Sequence, residues 1–172
     1  FTVHSSQFTY MNSPFLQSFK GTNTTIPVWF MRQAGRYLPE YRALKEKYSL
    51  SELFQTPELA CEVTCQPIKR INVDAAILFA DILTLPGAMG FDIRFDDKKG
   101  PLIGKLPDFS NVHDFDNLNY VAETIKMVNQ RLPKNIPLIG FAGSPFTVLT
   151  YLVEGSSAIN FTKTFEFMYT QS

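Results

Sequence analysis

Three short apolar runs recur along the chain: Ile26 to Met31 (IPVWFM), Val73 to Ala80 (VDAAILFA) and Ile136 to Ala142 (IPLIGFA). Runs of this length between turn residues predict buried strands rather than half-exposed ones. Between them the pattern turns helical. Val121, Ile125, Val128 and Leu132 share one face, so 118–132 is an amphipathic helix. A capping residue followed by proline opens three more: Ser13-Pro14 for 14–20, stopped at Gly21; Thr56-Pro57-Glu58 for a helix to about Asn72; and Ser144-Pro145 for one through Val153. Leu38 to Tyr48 is charged and helix-prone, Ile82 to Met89 predicts a short helix ended by Gly90, and Asn160 caps a last one. Phe91 to Asp96 alternates as a hairpin arm would. Lys98 to Asn111, broken by Gly100, Pro101, Gly104 and Pro107, reads as loop.

Strand, helix, strand, helix, strand, helix with buried strands means a parallel sheet covered by helices. A doubly wound sheet and a (β/α)₈ barrel both begin this way. The doubly wound dinucleotide fold needs a glycine-rich turn after its first strand, and Arg32-Gln33-Ala34-Gly35-Arg36 does not supply GxGxxG. A barrel takes about 250 residues, so the three strands read here are less than half of one.

Composition narrows the classes. The chain has 172 residues, 45% of them hydrophobic and 19% charged, enough for one domain with a real core and unlike a disordered chain. Sixteen basic residues balance sixteen acidic ones, so no overall field draws the protein to nucleic acid or to an anionic membrane. No apolar run approaches the roughly 18 residues of a membrane span. Phe1 to Tyr10 lacks the basic start and apolar core of a signal peptide, and Met11 reads as a natural start. Residues 1–12 are therefore expected to be a flexible leader, with 13–172 a single domain in the cytoplasm. Cys61 and Cys65, four apart in a helical pattern, read as reduced thiols on a buried face, with no metal site.

In parallel α/β folds the chemistry gathers at the carboxyl ends of the strands. After the first run come Arg32, Gln33, Gly35 and Arg36; after the second, Asp81; after the third, Gly143 and Ser144, leading to Tyr151. Two guanidinium groups beside a glycine can hold a carboxylate or phosphate, or can form ordinary surface ion pairs. Asp81 is an isolated acid in apolar surroundings, costly to bury without a partner; it either caps the helix that follows or serves a ligand. Tyr151 belongs either to the core or to the site.

The segment Pro27 to Arg42 (PVWFMRQAGRYLPEYR) closely resembles the N-terminal signature of the uroporphyrinogen decarboxylase family. Asp74 to Leu83 (DAAILFADIL) and Pro137 to Gly155 (PLIGFAGSPFTVLTYLVEG) match the same family in order. The resemblance runs from about Ser13 to the end of the chain. It implies a (β/α)₈ TIM-type barrel, of which this chain is the N-terminal portion and incomplete. It also implies a homodimer, no cofactor, no nucleic-acid or membrane partner, and a tetrapyrrole substrate whose four acetates lose carbon dioxide to give coproporphyrinogen. By the same match Arg32, Gln33, Ala34, Arg36, Asp81 and Tyr151 contact substrate. Asp81 accepts the central pyrrole N–H groups and stabilises the protonated ring, and Arg32 is a second catalytic residue, either donating the proton or orienting the acetate. Lys45 stands where the family has an arginine, and the family's serine and histidine contacts lie beyond Ser172. The alternatives are a zinc-dependent corrinoid or thiol methyltransferase of the same barrel, and a tetrapyrrole-binding protein without turnover.

Overall fold

The computed structural model describes residues 12–96, 99–104, 116–156 and 158–170. The expected leader lies, apart from Asn12, outside these. Helix α1 (Pro14–Phe19) starts where Ser13 Oγ accepts the Leu16 N–H. Helix α2 (Pro39–Lys45) is shorter than its charge pattern suggested, and a separate helix α3 (Leu50–Gln55) follows it. The signal for α3 is in the sequence: Ser49-x-x-Glu52 forms a reciprocal capping box, with Glu52 N–H donating to Ser49 Oγ and Ser49 N–H donating to the Glu52 carboxylate. Helix α4 (Pro57–Ile71) ends at Asn72, whose φ of 50° turns the chain back toward the sheet.

The central strands are β1 (Ala76–Ile77) and β4 (Leu138–Ile139), paired in parallel with Ala76 opposite Leu138 and Ile77 opposite Ile139. Each is much shorter than its apolar run. A second pair, β2 (Ile93–Asp96) and β3 (Gly100–Ile103), is an antiparallel hairpin. The expected arm at 91–96 is therefore there, but the stretch predicted as loop contains its partner strand, because the hairpin needs only a short turn between them. Helices α5 (Thr84–Ala88), α6 (Asn119–Arg131, preceded by a 3₁₀ turn at Asp116–Leu118), α7 (Pro145–Glu154) and α8 (Thr162–Thr170) complete the described elements. Among the described residues no helix is long and apolar enough to cross a membrane.

One core forms where α4 and α6 cover β1: Cys61 and Cys65 meet Val128, Leu132, Ala76 and Ile136. Both cysteines are free and buried as expected, and burial pushes the Cys65 thiol up to about 11. A second cluster joins Leu38, Tyr41, Leu53 and Val63, with Phe79 packed on it.

The run Ile26 to Met31 departs from expectation. It forms no strand ladder, and it is exposed, Ile26 at 87% and Met31 at 80%. The reason lies on the edge of β1. One edge is bonded to the β4 segment, with Ala76 N–H donating to Pro137 O and Leu78 N–H to Ile139 O. Along the other edge one main-chain bond, Asp74 N–H to Val28 O, is joined by three side chains. Asp74 carboxylate accepts Val28 N–H, Gln33 Nε2 donates to Ala75 O, and Thr64 Oγ1 accepts Phe79 N–H. Side chains occupy the positions a ladder would use, so the main-chain groups are satisfied without a regular strand.

Candidate functional site

The loop after the first run turns sharply at Arg32, whose φ of 57° is left-handed and costs a non-glycine residue about 1 kcal/mol or more. Gln33 holds that turn. Its side chain is buried, its Nε2 donates to Ala75 O at 2.9 Å, and its Oε1 accepts Phe30 N–H at 3.2 Å. Its carbonyl accepts the Tyr37 hydroxyl. The strained turn is thus pinned to β1, and Arg32 stands exposed at the rim. Arg36 is also exposed, and its carbonyl accepts a bond from Arg42 Nη1 at 3.2 Å.

Arg32, Gln33 and Ala34 line a cleft of about 450 Å³ with an apolar wall that includes Trp29, Ile77, Phe79 and Phe141. That is within the usual size of a small-molecule site. Asp81 lines a neighbouring cavity of about 440 Å³ with Phe54, Thr84, Phe91 and Tyr120. Phe54 borders both, stacked against Phe79 at 4.7 Å. Tyr151 lines neither; it sits in a third hollow of about 240 Å³ on α7. The structure therefore groups Arg32 with Gln33 and Ala34, puts Asp81 across an aromatic divider, and sets Tyr151 apart.

Of the two roles open to Asp81 locally, the hydrogen bonds show the first. Its Oδ1 accepts Leu83 N–H at 2.7 Å and its carbonyl accepts the Thr84 hydroxyl at 2.6 Å, so it does cap the turn into α5. It is also half-buried, four residues beyond β1, and loss of solvent raises its carboxyl pKa, opposed only in part by the Leu83 N–H. A desolvated carboxylate interacts strongly with any cation or N–H donor brought beside it. The Tyr120 phenol is raised too, chiefly by its own burial, against a hydrogen bond to Thr84 and with a smaller push from the Asp81 charge. Phe54 and Tyr120 had no distinguishing signal in the sequence; only the packing brings them to the site.

Gly143 follows β4 and lies close to Ile82. A β-carbon there would come within 2.7 Å of Val148 Cγ2 and 3.3 Å of Ile82 Cβ. The glycine thus lets the loop after β4 lie against the residue next to Asp81.

A parallel pair flanked by helices is the N-terminal portion of a (β/α)₈ TIM-type barrel. The Uroporphyrinogen decarboxylase (URO-D) family model matches residues 11–172, and the chain belongs to that family. Uroporphyrinogen decarboxylase of Thermodesulfovibrio yellowstonii is 46% identical over 168 residues, covering 92% of this chain and 48% of that protein. The Tolumonas auensis protein of the same name is 48% identical over 153 residues, 83% of this chain and 42% of that one. The chain spans about half the length of the curated relatives it matches. Among solved structures, a methyltransferase from Methanosarcina mazei superposes with a TM-score of 0.62 at 19% identity, covering 94% of this chain and 48% of that one. At that identity the likeness is one of fold.

Proposed function

We propose that the protein is a cofactor-free uroporphyrinogen decarboxylase, converting the four acetates of uroporphyrinogen III to methyl groups in haem and porphyrin biosynthesis. The observation that carries this is Asp81: a carboxylate fixed by Leu83 N–H just beyond β1, its charge desolvated, in a chain that belongs to this family.

The chemistry needs an electron sink. Protonation of the ring α-carbon next to the one bearing the acetate arm makes the ring cationic; the bond to the carboxylate then breaks, and its electron pair forms an exocyclic double bond that neutralises the ring as carbon dioxide leaves. A proton added to the exocyclic carbon then gives the methyl group, and loss of the first proton from the ring carbon restores the aromatic pyrrole, so that each carbon dioxide released takes up one proton overall. Asp81 accepts the central N–H groups and stabilises the cationic ring, a preorganised charge that counts most where water is excluded. Arg32 and Arg36 bind substrate carboxylates, and Arg32 also orients the reacting acetate. Arginine hardly gives up protons, so an acid or water held by Arg32 is the physically easier donor. Gln33 and Ala34 contribute the pinned main chain of the turn, and Tyr151, set apart from both cavities on α7, enters the reading through the family resemblance. A homodimer in the cytoplasm completes the reading.

The test is product analysis of uroporphyrinogen incubated with the full-length protein in the presence of a metal chelator. Coproporphyrinogen is the expected product. No turnover by folded protein would overturn the proposal and favour the methyltransferase or binding-only alternatives.

A further inference from the structure

Residues that touch a ligand are only part of what sets a site; something must hold Asp81 where it is. The last ladder bond of β1 is Leu78 N–H to Ile139 O at 3.0 Å. One residue further, Phe79 N–H faces the other edge, where Thr64 Oγ1 accepts it at 2.9 Å. Thr64 sits on α4, 1% exposed, and its own hydroxyl proton goes to Ala60 O at 2.7 Å. That bond orients the oxygen's lone pair toward the strand. From Phe79 to Asp81 is two residues, at most about 7 Å of chain. The same Phe79 packs its ring on Phe54, the divider between the two cavities, and on Tyr41 at 5.9 Å. Thr64 lines none of the described cavities.

We propose that Thr64 is a positioning residue for Asp81: its buried hydroxyl clamps Phe79 N–H, and so fixes where the strand end delivers the carboxylate and the aromatic divider. The proposal rests on the decarboxylase reading for its kinetic consequence but not for its structural one. Removing the hydroxyl without changing the shape leaves the part-buried Phe79 N–H without its acceptor. The strand end relieves this by shifting, and small displacements at a reacting centre are costly to rate.

The test compares Thr64→Val, which keeps the shape and loses the hydroxyl, with Thr64→Ser, which loses the methyl and keeps the hydroxyl, both in the full-length protein. Folding is checked by circular dichroism. Thr64→Val is expected to lower kcat by about 10- to 100-fold, leave KM within about threefold, and speed amide exchange over 79–83 by about tenfold or more. Thr64→Ser is expected to stay within about threefold of the parent in all three measures. Should Thr64→Val not fold, Thr64→Ala takes its place with the same expectations. A folded Thr64→Val with parental kcat and exchange overturns the proposal. So does Thr64→Ser falling as far as Thr64→Val, because packing and not the hydroxyl would then be at work. If the parent turns over no uroporphyrinogen, the decarboxylase reading fails. The clamp is then judged on amide exchange alone, and unchanged exchange in Thr64→Val overturns it.

Discussion

The runs Ile26 to Met31 and Val73 to Ala80 look alike in sequence and fare oppositely in the fold. In the second, Val73, Ala75, Ala76 and Leu78 are buried, whereas in the first Ile26, Val28, Phe30 and Met31 are exposed. Composition does not separate them; neighbours do. The second run has β4 on one edge, side chains on the other, and α4 and α6 packed on β1. The hydrogen bonds described for the first go to Asp74 and Gln33. The two halves of the candidate site inherit the contrast. Asp81 extends from the buried run into a place where its charge is desolvated, while Arg32 extends from the exposed run on a strained turn held by one glutamine.

The largest expected effect falls on the buried half. Asp81→Asn keeps an oxygen for Leu83 N–H and removes only the charge. On the decarboxylase reading it should lower kcat by about 10²- to 10³-fold, the range for loss of one preorganised electrostatic group. Its effect on stability should run the other way. Burial raises the carboxyl pKa of Asp81, so folding favours the protonated form. The stability from that group is fully present below the unfolded carboxylate range and is lost as pH rises through the raised folded value. Thermal melts of the parent should therefore fall over that window more than those of Asp81→Asn. The two should converge below about pH 4. A steeper fall in the variant would show that Asp81 is stabilised as an anion, and the site argument would lose its basis.

A second, smaller contrast tests the burial difference itself. Leu53 is 0% exposed in the cluster under Phe79, and Leu53→Ala should cost about 3 kcal/mol in urea unfolding. Met31→Ser, at a side chain 80% exposed, should stay within about 0.5 kcal/mol. A loss above about 1 kcal/mol for Met31→Ser would mean that the first run is covered in solution, and the comparison between the two runs would fall.

Local chemistry was legible in the sequence and pairing was not. Ser13, Ser144, Pro57 and Asn72 mark helix ends because caps and prolines act within a turn of themselves. The helical spacing of Val121 to Leu132 put α6 in place, and only its ends moved. The Ser49–Glu52 box is as local as these, although a charged stretch surrounds it. By contrast, β3 was hidden under glycine and proline, since a hairpin strand is defined by its partner at 93–96 rather than by its own composition. The same holds for the site. Arg32 and Asp81 could be named from strand ends and family resemblance. The aromatic divider at Phe54 and the Gln33 and Thr64 clamps depend on residues distant in the chain, 42 apart for Gln33–Ala75 and 15 apart for Thr64–Phe79. No local pattern carries such a bond.

The smallest expected effect marks where the site ends. Arg42 belongs to the same signature as Arg32 and Arg36, yet its described bond is an exposed one, from Nη1 to Arg36 O at 3.2 Å. An exposed hydrogen bond of this kind contributes about 0.5–1 kcal/mol, and water replaces it readily. Arg42→Ala should therefore change kcat/KM by no more than about fivefold, mostly through a looser Arg36 backbone and hence through KM. Asp81→Asn should act through kcat instead, because on the decarboxylase reading Asp81 is the group that meets charge developing on the ring. Equal losses in the two variants, or a kcat effect for Arg42→Ala as large as that of Asp81→Asn, would mean that the signature acts as one electrostatic unit and that the buried carboxylate has no special part in the chemistry.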